Sequence, residues 1–265
     1  MKERVASLME ASQEVARLAG AIALRHFRSG IVAEAKADGS PVTVADREAE
    51  RAARAWIEQR FPNDGILGEE YGVTRPDARR RWVLDPIDGT RTFVRGVPLF
   101  GALVAVLEGE EVLAGAAHFP ALGEIVCAAP GEGCWHDGSR AAVSSISRIS
   151  DALVLSTDER FPRHPSHRAA YHRLAAKAAL ARTWGDCYGY LLVATGRGEV
   201  MVDPVMNPWD AACFLPIIEE AGGVLTDWGG RRTVFGGSAI ATNHALAHLA
   251  RAILAVDHRA GTPAS

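Results

Sequence analysis

Trp82-Val83-Leu84-Asp85-Pro86-Ile87-Asp88-Gly89-Thr90 is the stretch from which the fold is read. An apolar strand runs straight into two carboxylates three residues apart. Pro86 holds one φ angle and Gly89 frees another. The carboxylates can therefore converge across a tight turn at the strand end, with the Ile87 carbonyl between them as a third oxygen. Hard cations such as Mg²⁺ take oxygen ligands of this kind in octahedral geometry, completed by water and substrate phosphate. The following Thr90-Arg91-Thr92-Phe93 can open a helical turn whose free N–H groups face an anion. Asp and Gly also simply make turns, and an isolated DxxDG is more often a turn than a metal site. The strand before it and the T-x-F after it favour the metal.

Three further segments carry carboxylates in similar settings. Gly65-Ile66-Leu67-Gly68-Glu69-Glu70-Tyr71-Gly72 is a short apolar strand ending in two glutamates, which by themselves read as solvated turn residues. In Asn207-Pro208-Trp209-Asp210-Ala211-Ala212, Asn207 is a good N-cap and Pro208 a good first helical residue, and Asp210 suits the helix dipole. That is a full structural account without function. Lys36 to Asp46 includes Thr43-Val44-Ala45-Asp46, where Asp46 reads as a carboxylate at a helix start.

Helical spacing of apolar residues predicts helices over 3–27 and 46–61, with a polar loop over 36–41 between them. The period then shortens, and strands are expected at 65–70, 82–85, 101–107, 112–118 and 125–129, most of them antiparallel. The second half alternates: strands at 153–156, 200–203, 224–227 and 239–242, and helices at 167–179, 186–195, 208–221 and 245–256. Pro216 should kink or break the helix that contains it. Strand–helix alternation indicates an α/β unit. A boundary near 143–149 divides an N-terminal α+β domain, 1–145, from a C-terminal α/β domain, 146–265, and the tail after Asp257 should fray.

The chain has 265 residues, 48% hydrophobic and 23% charged, with a formal net charge of −3. That is enough chain for a proper core. A slightly acidic balance argues against nucleic-acid binding, which needs a basic patch denser than Arg79-Arg80-Arg81. The four cysteines are not in CxxC spacing, so zinc-ribbon and dithiol chemistry are not indicated, and reduced thiols suit a cytoplasmic protein. Neither a signal peptide nor a membrane span is expected. His164, His167 and His172 match no common metal spacing and read as a solvent-facing helix start. His118 reads as a core residue.

Taken together, GEE, then DPIDGT, then WDAA, preceded by T-x-x-D, resemble the inositol monophosphatase family over about 36–243. The resemblance implies an α/β (α+β) fold: the layered α/β/α/β/α sandwich of the inositol monophosphatase / fructose-1,6-bisphosphatase type. It implies a Mg²⁺-dependent phosphomonoesterase using two or three ions, with Glu69, Asp85, the Ile87 carbonyl, Asp88 and Asp210 as metal ligands and Glu70 beside them. By the same resemblance, Gly89 and Thr90 contact the phosphate, and Thr90 and Asp46 orient and deprotonate the attacking water. Lithium sensitivity and a homodimer are family expectations. The physics agrees, since clustered carboxylates stay ionised around a cation. A haloacid-dehalogenase-type nucleophile is excluded, because Pro86 stands two residues before Asp88, where that nucleophile belongs.

For the substrate, Trp184-Gly185-Asp186-Cys187-Tyr188-Gly189-Tyr190 and 201–210 resemble the histidinol-phosphatase branch of the family. The inositol-specific branch usually carries a small-residue run where Gly185-Asp186-Cys187 stands, a Glu at Asp203 and a His at Asn207. Carboxylates at Asp186 and Asp203 would complement the ammonium and imidazole of L-histidinol phosphate. Simpler accounts also exist: Asp186 opens a helix, and Asp203 ends a strand before proline. Asp158, Glu159 and Arg182 are expected at the pocket border. Inositol 1-phosphate is the alternative substrate. A bisphosphate, with Arg182 and Lys177 as basic contacts, and a regulatory binding protein of the same fold rank below it.

Overall fold

A computed structural model of the chain describes residues 2–36, 39, 41–162 and 164–255. Helix α1 (Lys2–His26) buries Leu8, Ala11, Val15, Ala19 and Ile22 at the spacing of one helical face. A two-stranded ribbon, β1 (Glu34–Ala35) and β2 (Pro41–Val42), follows, where only a loop was expected. Helix α2 (Val44–Arg60) starts on a capping box: the Thr43 hydroxyl accepts the Ala45 N–H at 3.1 Å, and the Asp46 carboxylate accepts the Thr43 N–H at 2.7 Å.

The first sheet has eight strands. They are β3 (Gly65–Gly68), β4 (Gly72–Thr74), β5 (Arg80–Asp88), β6 (Gly101–Glu108), β7 (Glu111–Phe119), β8 (Glu124–Ala129), β9 (Gly133–His136) and β10 (Ser139–Arg140). Their spatial order is β10-β9-β8-β7-β6-β5-β3-β4, antiparallel throughout except for the parallel pair β3–β5. Strand β5 is longer than the apolar run predicts. Flanked by β3 and β6, it keeps pairing past a register shift between Asp85 and Asp88, until Asp88 faces Gly101. Pro86, which has no N–H to give a ladder, sits in that irregularity. The five-residue helix α3 (Thr90–Val94) begins directly after it.

The second sheet combines β11 (Leu153–Ser156), β12 (Leu180–Arg182), β13 (Val200–Asp203), β14 (Gly223–Thr226) and β15 (Ala239–Asn243) in the order β12-β11-β13-β15-β14. It is mixed, with β11 parallel to β12 and β13 and the other two pairs antiparallel. Helices α4 (Pro165–Ala175), α5 (Asp186–Ala194), α6 (Pro208–Ala211), α7 (Phe214–Glu220) and α8 (Ala247–Leu254) complete the fold.

The layers are α1 and α2, the first sheet, α5 to α7, the second sheet, then α4 and α8. The expected α/β/α/β/α sandwich is therefore present. One apolar cluster joins Leu103 and Phe119 of the first sheet, Leu191 and Phe214 of the middle helices, and Met201 and Ala241 of the second sheet.

Several expected elements differ in detail. The single helix over 208–221 is two helices, broken at Ala212 and Cys213. Pro216 supplies no N–H to the Ala212 carbonyl, and its ring crowds that carbonyl, so the break falls one turn before the proline. The helix expected over 167–179 ends at Ala175, leaving room for the unexpected strand β12. Strands β4, β9 and β10 are likewise additional, each two to four residues and set by pairing rather than by composition. The tail after Asp257 lies outside the described residues. All four cysteines are buried free thiols, as expected. Among the described residues, no helix is long and apolar enough to cross a membrane.

Candidate active site

The site forms where the end of β5 meets the starts of α3, α5 and α6. Asp85 is buried, and its Oδ1 accepts the Ile87 N–H at 3.0 Å, which turns the chain toward Asp88. Gly89 sits at φ +84°, and a Cβ there would lie 3.2 Å from the Leu99 carbonyl and 3.3 Å from Asp186 Oδ2. Glycine thus serves both the left-handed turn and the close approach. The Asp88 carboxylate accepts the Cys187 N–H at the start of α5. Asp210, in the first turn of α6, accepts the Asn207 N–H at 2.8 Å and its side-chain amide at 3.2 Å.

Carboxylate oxygens of Asp85, Asp88 and Asp210 all lie within 4.8 Å of one another. Burial raises the Asp85 carboxyl well above its ordinary range, and Glu69, Asp88 and Asp210 add to the shift. Burial does the same for Asp88, reinforced by Asp186 and Asp210. Asp210 is pushed up to about 6, by burial first and then by Glu69 among its neighbours. A buried, mutually repelling set of hard oxygens suits a hard cation. Neutral protonated acids are the alternative way to relieve the same repulsion.

Glu69 and Glu70 follow β3. Lys36 Nζ bonds Glu69 Oε1 at 2.7 Å and Glu70 Oε1 at 2.6 Å. Burial acts to lower the Lys36 pKa, but the two glutamates outweigh it and hold the ammonium above the ordinary lysine range. Burial pushes Glu70 up to about 7 against the pull of Lys36. Lys36 has no counterpart among the expected site residues, although it opens the segment that carries Asp46.

Asp46 and Thr90 come together as expected. Thr90 Oγ1 lies 3.3 Å from Asp46 Oδ1 and 3.0 Å from the Ile87 carbonyl. The other Asp46 oxygen takes both the Thr43 N–H at 2.7 Å and the Thr43 hydroxyl at 2.6 Å, leaving Oδ1 to Thr90. Burial raises the Asp46 carboxyl, and the two Thr43 bonds oppose it.

A cavity opens beside this cluster, lined in part by Asp88, Asp210, Asp186, Asp203, Thr157 and Tyr190. Asp186 has φ +50°, an uncommon setting for a non-glycine residue, and its Oδ2 accepts the Thr92 hydroxyl at 3.2 Å. Asp203 is buried and pushed up to about 7 by burial; it accepts the Thr157 N–H at 3.1 Å and the Tyr190 hydroxyl at 3.0 Å. Gly185 packs on Thr157, where a Cβ would come within 2.2 Å of the Thr157 Cα. Arg182 is not among the residues lining this cavity. It is exposed on edge strand β12, with its guanidinium on the Ala181 carbonyl.

Sequence reasoning gives Thr157, Thr92 and Tyr190 no site role of their own, although Thr92 and Tyr190 stand in segments it quotes. Tyr190 stands four residues after Asp186 on α5, a helical spacing that could have flagged it. Thr157 and Thr92 are brought in by long-range packing alone. His164 caps α4 and stacks edge-on with His167 at 5.3 Å, and among the described residues the 164–172 histidines form no grouping that could hold an ion.

An oxygen-only cluster at the end of a central strand, with a hydroxyl–carboxylate pair beside it, has the makings of a hydrolytic metal centre on a layered sandwich. The profile of the inositol monophosphatase family matches residues 4–258. A histidinol-phosphatase of Chlorobaculum parvum is 42% identical over 241 residues, covering 90% of this chain and 93% of that protein. A histidinol-phosphatase of Mycobacterium tuberculosis is 37% identical, covering 79% of this chain and 83% of its own. Among solved structures, an inositol monophosphatase from Zymomonas mobilis superposes with a TM-score of 0.83 at 34% identity, covering 94% of this chain and 97% of that one. The chain belongs to the inositol monophosphatase family and is a phosphatase.

Proposed function

We propose that the protein is a Mg²⁺-dependent phosphomonoesterase that hydrolyses L-histidinol phosphate to L-histidinol and phosphate. The observation that carries the substrate is the cavity wall: Asp186 and Asp203 line the same cavity as Asp88 and Asp210. A leaving group bearing an ammonium and an imidazole would meet carboxylates there. Asp203 already accepts two bonds, and a carboxylate offers about four acceptor positions.

In this reading Glu69, Asp85, the Ile87 carbonyl, Asp88 and Asp210 hold two or three magnesium ions, with Glu70 beside them. Bound ions of this kind acidify water and neutralise charge on the phosphoryl oxygens. Gly89 and Thr90, at the start of α3, take the phosphate. Thr90 Oγ1 orients the attacking water, and the proton passes toward Asp46, whose buried carboxyl has a raised proton affinity. Residues 1–145 then supply most ligands, and 146–265 supply Asp210 and the specificity residues.

The test is phosphate release from L-histidinol phosphate, inositol 1-phosphate and fructose 1,6-bisphosphate with Mg²⁺, each with an EDTA control. The expected result is the highest kcat/KM for histidinol phosphate and no release in EDTA. Preference for inositol 1-phosphate would keep the metal chemistry and discard the roles of Asp186 and Asp203. The resemblance to the Zymomonas mobilis inositol monophosphatase keeps that second reading in the comparison.

A further inference from the structure

Helix α2 carries Asp46, Glu50 and Arg54 at successive four-residue steps, so the three lie along one face. Asp46 belongs to the site already described. Glu50 does not: it is fully buried and reaches a different target. Its Oε2 accepts the Glu70 N–H at 2.7 Å, and its Oε1 accepts the Tyr71 N–H at 3.2 Å and Arg54 Nε at 2.7 Å. Arg54 extends the same hold, with Nη1 on the Thr74 hydroxyl at 2.8 Å and Nη2 on the Gly72 carbonyl at 2.5 Å.

The turn between β3 and β4, which begins with Glu69 and Glu70, thus hangs on one buried ion pair rooted in α2. Gly68 makes room for it: a Cβ at that position would lie 2.0 Å from Glu50 Oε1. A buried ion pair is a poor device for stability alone, because well-packed apolar residues serve as well or better. Here the pair fixes the backbone from which two acidic side chains project toward Asp85 and Lys36.

We infer that Glu50, braced by Arg54, is a positioning residue of the metal site: it touches no ligand but sets where the Glu69–Glu70 turn stands relative to Asp85 and Asp46. The inference rests on the metal reading of the site. It extends that reading from the ligands to the scaffold that aims them. Partners that orient ligands in this way typically govern metal affinity about 10- to 100-fold. The same helix then places both the Thr90-linked carboxylate and the glutamate turn, as one rigid body.

The experiment is calorimetric titration of Mn²⁺ and Mg²⁺ into the EDTA-stripped full-length protein. Glu50→Gln keeps the shape, but its amide cannot accept both backbone N–H groups and the Arg54 guanidinium. It should bind metal about 10-fold or more weakly with an unchanged circular dichroism spectrum. The Mg²⁺ concentration for half activity should rise in step, with kcat at saturating Mg²⁺ changed less than about threefold. Glu220→Gln is the matched control. Glu220 also accepts two backbone N–H groups of a turn, Gly131 and Gly133, each at 2.8 Å, away from the cavity. Its metal affinity should not change. Should Glu50→Gln fail to fold, Arg54→Lys, which loses the fork on Gly72 and Thr74, is expected to weaken metal binding in the same way. Glu50→Gln or, in its place, Arg54→Lys, folded and binding metal within twofold of wild type while Glu69→Gln binds weakly, overturns the inference alone. A wild-type protein that binds neither ion overturns the metal reading and this inference with it.

Discussion

Asp88 accepts one strong bond, from the Cys187 N–H, while Asp186 and Asp210 crowd it with like charge. The arrangement makes its negative charge costly without a cation and useful with one. Asp88→Asn keeps the shape and removes the charge. It should fold normally and lose at least about 100-fold in turnover, the loss that the proposed metal-ligand role requires. Full activity in that variant would remove Asp88 from the metal set. The role proposed for Thr90 is different, because its hydroxyl touches Asp46 and the Ile87 carbonyl rather than carrying charge. Thr90→Ala should lower kcat by about 10²–10⁴-fold, the range of general acid–base assistance, with metal affinity nearly unchanged. A loss of metal binding as large as the loss of rate would contradict that division of roles.

At the scale of elements, the break between α6 and α7 is where the middle layer meets the first sheet. Gly115 of β7 lies directly beneath it: a Cβ there would come within 2.3 Å of the Cys213 carbonyl and 2.8 Å of its Cα. These are backbone atoms held by the break that Pro216 enforces, so they cannot yield as a flexible side chain would. Gly115→Ala should therefore cost about 1–3 kcal/mol of stability, the usual size of overpacking, and should move Asp210 through α6. Urea unfolding reads the first effect and the activity profile against Mg²⁺ reads the second. An unchanged urea midpoint would show that α6 and α7 slide freely on the sheet.

The GEE, DPIDGT and WDAA segments were each legible in the sequence because their residues act locally, at a strand end or a helix start. The break at Ala212 was half legible. Pro216 announced it, but its position follows from the carbonyl four residues earlier. Strands β1, β4, β10 and β12 were not legible, since two or three residues carry no period and exist only because a partner strand is there. Lys36 and Glu50 escaped for a related reason: nothing in their neighbours reveals that long-range packing sets them against Glu69 and Glu70.

For the molecule as a whole, the acidic site links stability to pH. Asp210 is raised to about 6, and Glu70 and Asp203 to about 7, burial being the first cause in each. The folded chain therefore holds more protons than the unfolded chain between about pH 4 and 7, and stability falls as pH rises through that window. His118, lowered by burial, and Glu34, Glu48 and Asp158, lowered by their bonds to Arg47, His26 and Arg160, work the other way, while Asp46, Asp85, Asp88 and Asp186, raised first by burial, add to the larger set. In EDTA the urea midpoint should be higher at pH 5.5 than at 7.5. On the proposed metal reading, excess Mg²⁺ should reverse the order, because an ion held only by the folded site would replace the protons. A midpoint in EDTA that is flat or rises with pH would show that the carboxylates are relieved without a cation.

Residue order and spacing set the chemical inventory: which strand ends in carboxylates, which helix starts carry acids, and that these belong to a phosphatase family. Those features are local, and a strand end, a proline or an N-cap has the same geometry wherever it occurs. Tertiary structure alone decided which of these acids share a cavity. It set Asp203 against Tyr190 and Thr157, placed Arg182 on an exposed edge, and hung the glutamate turn from a buried pair on α2. The bonds from Thr157 to Asp203 and from Glu70 to Glu50 span 46 and 20 positions, and only the packing of helices against the two sheets brings such partners within hydrogen-bonding reach.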